Sequence, residues 1–388
     1  MVVLGVEKFI TTPPSWITGK KMAFLTHQAA CGGSGSSSLA LVMTRFPGQV
    51  QAVWSPQHGF YGVEQANMIP SGDFHDPVTK IPVFSLYGDQ RQPTAEMFAD
   101  IDLVLVDLVD VGCRVYTYIW TLVLVMEAAA AAGVPVLVLD RPNPLGGDLV
   151  EGNLLRPDYT SFVGLYPLPM RHGMTLGELA RYVNDVHQLG CRLEVVSMSG
   201  WRRAQYGDET GLLWVPPSPN MPTQATALVY PGQVLLEGTN LSEGRGTTTP
   251  FKIWGAPFVE PERLLAAVDR RVLGGVCLRP TFFVPTFDKW QGQVCGGLYL
   301  HVLDRRSFEP YLLTLELLRV LLELYGDHFS WLPPPYEYEY EKLPIDILIG
   351  DPEIRRLLEA GEDVLTIKAL WEEELAAFCR RRQEFLLY

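Results

Sequence analysis

The sequence predicts an α/β protein whose first half is a parallel sheet with helices on both faces. Short runs of Val, Ile and Leu recur along this half, and a polar turn and a helix-like segment follow most of them. Nearly continuous apolar strands that alternate with helices are typical of parallel sheets buried on both faces. The repeat ends near residue 225, so we expect an N-terminal domain of residues 1–225 and a smaller α+β domain of residues 226–388.

The elements of the first half can be placed in order along the chain. The predicted strands are residues 22–26, 51–54, 81–85, 102–106, 134–139 and 193–198. The predicted helices are residues 38–45, 94–99, 118–132 and 176–186. Thr175 is the predicted N-cap of the last helix, because a Thr hydroxyl can accept a hydrogen bond from a free amide of the first turn. In the second half we expect a strand at 297–303, a helix at 310–324 and a helical tail from residue 351.

Composition excludes several classes of function. The formal net charge is −13 and no basic stripe interrupts the acidic balance, which argues against a nucleic-acid partner. No apolar run reaches the ~20 residues of a membrane span, and the N-terminal sequence lacks the features of a signal peptide. We therefore expect a cytoplasmic protein, or a secreted or periplasmic one if its terminus was trimmed. The six cysteines have no metal-ligand spacing and are expected to be mostly buried free thiols.

Polar residues follow the predicted strand ends, and ligands of parallel α/β sheets bind beyond the carboxyl ends of the strands. Any one of these residues could be a turn former or a helix cap, but together they predict a ligand site at one edge of the sheet. Candidates with chemical or binding roles are Gln57 and His58 after the second strand, Asp107, Asp110, Arg114, Tyr116 and Tyr118 after the fourth, and Arg141 and Asn143 after the fifth.

Further binding candidates come from loops later in the chain. Arg171 and His172 stand in the turn before the predicted helix 176–186, and Asn220 stands in a Pro-rich passage that closes the first half. Glu243 and Arg245 come from a glycine-rich turn of the second half and could complete the wall of a cleft between the domains. No HExxH, GxSxG, GxGxxG or P-loop spacing is present, so neither a metal nor a cofactor is expected.

Glu127 is a carboxyl in an otherwise almost wholly apolar helix, 118–132. It lies either at the one exposed position of that helix or in the interior. A buried position would raise its pKa and suit a general acid, because desolvation disfavours the charged form. The sequence leaves both alternatives open.

Long motifs along the whole chain resemble one known family. They are SPQHGFYG, IPVFSLYG, DVGCRVYTYIWT, VLDRPNPLGG, RHGMTLGELA, WVPPSPNMP, VYPG, EGTNLSEGRGTTTPF and the C-terminal FCRRRQEFLLY. The chain resembles the NamZ family of exo-β-N-acetylmuramidases, also called DUF1343. The resemblance implies a Rossmann-like N-terminal domain, a C-terminal domain of its own type and an active cleft between them. It implies release of terminal N-acetylmuramic acid from peptidoglycan-derived β-1,4 disaccharides or short glycans.

The resemblance also implies a catalytic pair of glutamates, and this chain departs from it. The glutamate of the family's SPEHG motif aligns with Gln57, and spacing places the other at Glu127. Val109 likewise stands where the family's DIQD pattern has Gln. Three interpretations follow from Gln57. In the first, hydrolysis persists with Glu127 and another group (Asp107, Asp110 or Glu64). In the second, Gln57 orients a substrate acetamido group that supplies the nucleophilic oxygen, while Glu127 acts as the acid. In the third, hydrolysis is lost and the protein binds amino sugars or acts on something else.

The substrate implied by the resemblance carries a lactyl carboxylate. The planar guanidinium of Arg114 or Arg171 has the geometry to bind such a group through two parallel hydrogen bonds. We therefore expect one of these two arginines to hold the carboxylate of muramic acid.

Overall fold

The computed structural model describes residues 2–65 and 68–388, and its N-terminal half is built on a seven-stranded sheet. The strands of this sheet are β1 (Met22–Thr26), β2 (Val50–Ser55), β3 (Phe74–His75), β4 (Pro82–Ser85), β5 (Leu103–Asp107), β6 (Val136–Leu139) and β9 (Leu193–Val196). Their order is β3-β4-β2-β1-β5-β6-β9, and every neighbouring pair is parallel except β3 with β4. Chain order reverses direction across β1, so the crevice between β1 and β5 is the switch point of the sheet.

Helices cover both faces of this sheet. The helices of the first half are α1 (Gly5–Thr11), α2 (Ser38–Arg45), α3 (Tyr118–Ala132) and α4 (Leu176–Val186). Alternate residues of a strand point to opposite faces, and β5 shows this directly. Leu103 and Leu105 pack into a core shared with α1 and α2, whereas Val104 and Val106 pack into a core shared with α3 and α4. The predicted two-faced parallel sheet is confirmed.

The rest of the chain forms smaller sheets and a helical C-terminal region. A two-stranded antiparallel ribbon consists of β7 (Glu151–Leu154) and β8 (Pro169–Arg171). A three-stranded antiparallel sheet, in the order β10-β12-β11, consists of β10 (Ile253–Ala256), β11 (Val276–Phe283) and β12 (Cys295–Val302). The remaining helices are α5 (Gln224–Gln233), α6 (Pro261–Ala267), α7 (Pro310–Tyr325), α8 (Pro344–Ile349), α9 (Pro352–Glu359), α10 (Val364–Ala369) and α11 (Glu372–Arg382).

The observed elements match most of those expected from sequence. All six predicted strands of the first half are present, and helices 38–45, 118–132 and 176–186 have the predicted ends. The exception is 94–99, which forms only a 3₁₀ turn, Ala95–Phe98, because Pro93 precedes it and β5 begins five residues after it. A single turn fixes several dihedrals for very few hydrogen bonds, so it does not propagate as an α-helix.

The described residues also bear on the expectations about membrane spans, metal sites and cysteines. In these residues, no helix is long and apolar enough to cross a membrane. Residues 2–65 and 68–388 also contain no group of three His, Cys, Asp or Glu side chains placed to hold a metal ion. All six cysteines are free thiols, and three of them (Cys113, Cys191 and Cys295) are buried.

The N-terminus of α4 provides a test of local stability. The Thr175 hydroxyl accepts a hydrogen bond from the Glu178 amide and donates one to the Asp140 carboxylate. Thr175→Ala removes both, so we expect the free energy of unfolding to fall by about 1–2 kcal/mol. Urea denaturation measures this loss. Thr175→Ser keeps the hydroxyl and should recover most of the stability; equal losses in the two variants would mean that the methyl group matters instead.

Candidate active site

Gln57 lies in the interior, two residues beyond the carboxyl end of β2. The chain turns sharply there, since His58 and Gly59 both have positive φ, 70° and 73°. Thr117 is the N-cap residue of α3, but its hydroxyl bonds to Gln57 Oε1 at 2.5 Å rather than capping the helix. Gln57 Nε2 donates to the Tyr87 hydroxyl at 2.9 Å and to Glu337 Oε1 at 3.1 Å. These partners fix the orientation of the amide, which acts as a donor towards Glu337.

Glu337 reaches Gln57 from a tight hairpin in the C-terminal region. Tyr336 and Glu339 exchange two backbone hydrogen bonds of 2.9 Å, and the two residues between them, Glu337 and Tyr338, have φ values of 45° and 66°. Two-residue hairpins with positive φ at both positions usually carry Asn-Gly. Non-glycine residues in such conformations cost about 1–3 kcal/mol each and cluster at functional sites. Here the strained turn places the Glu337 carboxyl in the interior.

The surroundings of Glu337 set its proton affinity. Its side chain is buried, at 2% exposure. Burial raises the pKa of Glu337 to about 7; a hydrogen bond from the Tyr87 hydroxyl (2.8 Å) opposes the rise, the nearby Glu237 adds to it, and Gln57 and Arg245 oppose it. A carboxyl with this pKa is protonated in a large fraction of molecules near neutral pH, so it can act as a general acid.

A second glutamate of the cleft, Glu237, differs from Glu337 in that it is paired with a guanidinium. Arg245 Nη2 donates to Glu237 Oε1 at 2.7 Å, and the Tyr336 hydroxyl donates to Glu237 Oε2 at 2.5 Å. Arg245 is itself held by Glu243 at 2.8 Å, and Glu243 pairs with Lys289 at 2.9 Å. A guanidinium and a phenol hydroxyl thus hold the two oxygens of the Glu237 carboxylate in place.

These groups line one narrow cleft between the edge of the N-terminal sheet and the C-terminal region. His58 adds an acceptor to it: its Nδ1 donates to the Glu64 carbonyl at 2.7 Å, which leaves Nε2 without a proton. Burial lowers the pKa of His58 to about 4, so the imidazole is neutral at physiological pH. The polar lining residues are Gln57, His58, Tyr116, Thr117, Ser218, Asn220, Tyr230, Glu237, Arg245, Tyr336 and Glu337.

Five residues expected at the site from sequence thus lie at this cleft: Gln57, His58, Tyr116, Asn220 and Arg245. Two more support it from behind. Glu243 anchors Arg245, and the Tyr118 hydroxyl donates to the backbone carbonyls of Gln57 and Pro217.

Arg114 is part of the interior rather than of the cleft. It is 0% exposed, and its guanidinium donates to four backbone carbonyls, those of Asn153, Leu168, Leu348 and Ile349, at 3.3, 3.1, 2.7 and 2.7 Å. This placement replaces the expected carboxylate contact with a structural one. Arg114 ties the β7–β8 ribbon to α8.

The loop around Arg171 is also structural. Arg171 donates to the Leu145 carbonyl at 2.5 Å, and Asn143 bridges the Met174 carbonyl and the Leu145 amide. His172 is fully buried, and burial lowers its pKa to about 3. The expected substrate contacts of Asn143, Arg171 and His172 are therefore replaced by contacts that shape the loop before α4.

The remaining predicted carboxylates lie away from the cleft lining. Asp107 forms a two-pronged ion pair with Arg141 at the end of β5. Asp110 and Arg141 line a different cavity, beside the switch point, and burial raises the pKa of Asp110 to about 7. Glu127 is partly exposed, accepts a hydrogen bond from the Tyr166 hydroxyl at 2.8 Å, and lies nine residues, about 13 Å, along α3 from Tyr118. The structure does not bring Glu127 to Gln57.

Sequence reasoning missed Glu237 and Glu337, the two glutamates of the cleft. Glu337 stands in PPPYEYEYEK, which reads as a polar connector, and no residue there signals a turn with positive φ. Glu237 stands in VLLEG, where the isolated acid in an apolar run is the only available signal. The same pattern, an isolated acid among apolar residues, occurs at Glu127, which is not part of the cleft lining.

Comparison with known proteins shows the family to which this chain belongs. The family models described as exo-β-N-acetylmuramidase NamZ, N-terminal and C-terminal, match residues 22–225 and 228–388. The chain belongs to the NamZ family. It is 40% identical over 387 residues to the peptidoglycan β-N-acetylmuramidase NamZ of Bacillus subtilis (strain 168), covering 100% of this chain and 91% of that protein.

Solved NamZ-family folds agree with this architecture. Two DUF1343 family proteins of Bacteroides fragilis NCTC 9343 superpose with TM-scores of 0.89 and 0.78, at 31% and 28% identity. Each comparison covers 100% of this chain and 99% of the other chain. The NamZ-family fold therefore extends over the whole sequence.

Arg114→Met tests the structural assignment of that residue. The variant removes the shared donor of four buried carbonyls, of which those of Leu168 and Ile349 keep a second donor, so we expect the free energy of unfolding to fall by about 3 kcal/mol. Urea denaturation of the full chain measures the change. Arg202→Met removes an exposed guanidinium and should stay within about 0.5 kcal/mol of the unsubstituted protein. An Arg114→Met protein as stable as that control would contradict the assignment.

Proposed function

We propose that this protein hydrolyses the glycosidic bond of a terminal N-acetylmuramic acid in peptidoglycan-derived β-1,4 disaccharides or short glycans, with Glu337 and Glu237 as its carboxyl pair. The observation that carries the proposal is the Gln57 cleft, where one buried glutamate has a pKa of about 7 and the other is paired with Arg245. Glycoside hydrolysis needs one carboxyl that gives a proton and one carboxylate. Glu337, whose pKa burial raises, is the proton donor of this proposal, and Glu237, which Arg245 holds in place, is the carboxylate.

The chemistry then follows from the positions of the two groups. Glu337 gives its proton to the oxygen of the leaving sugar as the bond from that oxygen to the anomeric carbon breaks. A water oxygen adds to the anomeric carbon, and the proton that this water loses passes to the carboxylate of Glu237. Exchange with solvent returns both groups to their starting states. His58 and Asn220 line the same cleft and, in this proposal, orient the sugar or the water.

Gln57 has a positioning role in this proposal. Its amide donates to Glu337 Oε1 while its carbonyl oxygen is occupied by Thr117, so it holds the acid without exchanging a proton. The proton-donating group is thus supplied by the hairpin of the C-terminal region instead of by the SPQHG turn. This is the first of the three interpretations of Gln57, with Glu337 and Glu237 in place of Glu127 and its partners.

Substrates with different leaving groups distinguish the roles of Glu337 and Glu237. A sugar leaving group needs protonation, whereas a nitrophenolate needs little, so Glu337→Gln should lower kcat/KM on the natural disaccharide by at least about 100-fold and on a chromogenic N-acetylmuramic acid β-glycoside by much less. Glu237→Gln should lower both by similar large factors. Steady-state kinetics on the two substrates measure the split, and Glu341→Gln, an exposed glutamate near the same hairpin, is the matched control.

The alternative is a lapsed enzyme that only binds amino sugars. It predicts no release by the unsubstituted protein and release after Gln57→Glu, since that change restores the glutamate that the family resemblance implies. If Glu337→Gln lowered kcat/KM equally for the two substrates, that result would contradict the role of Glu337 as the general acid.

The pH dependence tests the contact between Gln57 and Glu337. Activity should fall as pH rises through about 7, because Glu337 then loses the proton it must donate. Gln57→Glu replaces an amide donor with a second carboxyl beside Glu337, in a site that already contains Glu237, Arg245 and Tyr87. Two carboxyls at this distance share a proton, so the alkaline limb of kcat/KM should move to higher pH.

The control for this profile is Gln90→Glu, which makes the same charge change at an exposed position outside the cleft. Its alkaline limb should match that of the unsubstituted protein. An alkaline limb that moves to lower pH in Gln57→Glu, or does not move, would contradict the contact.

A further inference from the structure

Glu337 borders two cavities. One is the narrow cleft that holds Gln57, and the other is a wider outer groove of about 440 Å³. Two pairs of consecutive residues, 162–163 and 337–338, stand between the cleft and the groove. Val163 and Glu337 line the cleft, whereas Phe162 and Tyr338 line the groove, and Glu337 lines both.

We propose that this outer groove binds the departing saccharide, and that Arg91 binds a carboxylate on the sugar beyond the leaving one. The proposal rests on the proposed function, because a general acid must adjoin the oxygen it protonates. The terminal sugar occupies the narrow cleft on one side of Glu337. The leaving sugar must then lie on the other side, where the groove begins.

Arg91 is the cation of this groove and is held in a defined orientation. Its guanidinium lies 4.5 Å from the ring centroid of Tyr338 and 5.7 Å from that of Phe162. The Tyr338 ring is in turn packed edge-on against Tyr87, at 5.5 Å between centroids. Stacking on aromatic rings orients a guanidinium at little cost in conformational freedom, and leaves its edge open to a planar anion.

The charges around Arg91 leave its guanidinium available to bind an anionic ligand. Among residues 2–65 and 68–388, no carboxylate lies within ion-pair distance of Arg91. The groove has three carboxyl groups: that of Glu337, that of Asp89 at the exposed edge, and that of Glu339, which accepts from the amides of Glu341 and Lys342. An oriented guanidinium without a partner fits a bidentate carboxylate ligand.

The ligand chemistry follows from the alternation of sugars in peptidoglycan. When a terminal muramic acid is removed, the leaving sugar is N-acetylglucosamine, which has no carboxylate. The next sugar is again a muramic acid, and where its stem peptide has been removed it carries a free lactyl carboxylate. Arg91 would therefore favour glycans of three or more sugars over the disaccharide.

The experiment compares substrates that do and do not reach Arg91. The measured quantity is a ratio: kcat/KM for the trisaccharide MurNAc-GlcNAc-MurNAc divided by kcat/KM for the chromogenic muramic acid glycoside. We expect Arg91→Ala to lower this ratio at least about tenfold, an effect of one bidentate ion pair. Arg91→Lys should fall in between, since it keeps the charge and loses the fork. With the disaccharide MurNAc-GlcNAc in place of the trisaccharide, the loss should be smaller.

Arg263→Ala is the matched control, because Arg263 also stacks on a tyrosine (Tyr325, 5.6 Å) but lies outside the groove. A ratio that Arg91→Ala leaves unchanged, or that Arg263→Ala lowers equally, would overturn the proposal. Calorimetric titration of the trisaccharide into Glu337→Gln protein, with and without Arg91→Ala, decides it independently of turnover. Should the protein hydrolyse none of the substrates, the proposed function fails, and equal trisaccharide affinities in this titration would still reject the groove.

Discussion

The hydrogen bond from Gln57 to Glu337 is the contact on which the site depends. It joins the carboxyl-end edge of the N-terminal sheet to a hairpin 280 residues later in the chain. A buried carboxyl needs donors, and Glu337 finds them in Gln57 and Tyr87. Because both donors come from the sheet and the carboxyl comes from the C-terminal region, the cleft exists only when the two parts are packed together.

That packing is maintained by buried polar contacts away from the cleft. Arg114 donates to backbone carbonyls of α8 and of the segments around β7 and β8, and the side chain of Asn153 also bonds to α8. Such contacts are directional, and losing a partner leaves a buried group unsatisfied. They therefore fix the relative position of the two parts more sharply than apolar packing alone. The hairpin at Glu337 can then hold two non-glycine residues at positive φ, since the surrounding structure imposes that conformation.

The fold was readable from the sequence because it depends on local patterns repeated many times. Apolar runs such as 22–26 and the Thr175 cap are each short, but each has one structural meaning in an α/β chain. The site was readable where a motif ends a strand, as Gln57 and His58 do, and in polar loops rich in Pro or Gly, as with Asn220 and Arg245. Arg114 and Arg171 look like ligand-binding groups in sequence, because nothing local reveals that distant carbonyls will surround them. Glu337 was missed for the converse reason: its importance arises from a turn geometry and a contact 280 residues away.

The exchange of a carboxyl for an amide at position 57 has a simple electrostatic consequence. A glutamate there would face Glu337 directly, and two buried carboxyls in contact must share a proton. An amide of the same length keeps the contact to Thr117 and turns the contact to Glu337 into a donated hydrogen bond. Only one group of the pair then titrates, so a single proton is held on the hairpin side, next to the groove through which a leaving sugar would depart. Under the proposed function, Gln57 is compatible with acid catalysis because Glu337, on the opposite wall of the cleft, supplies the proton.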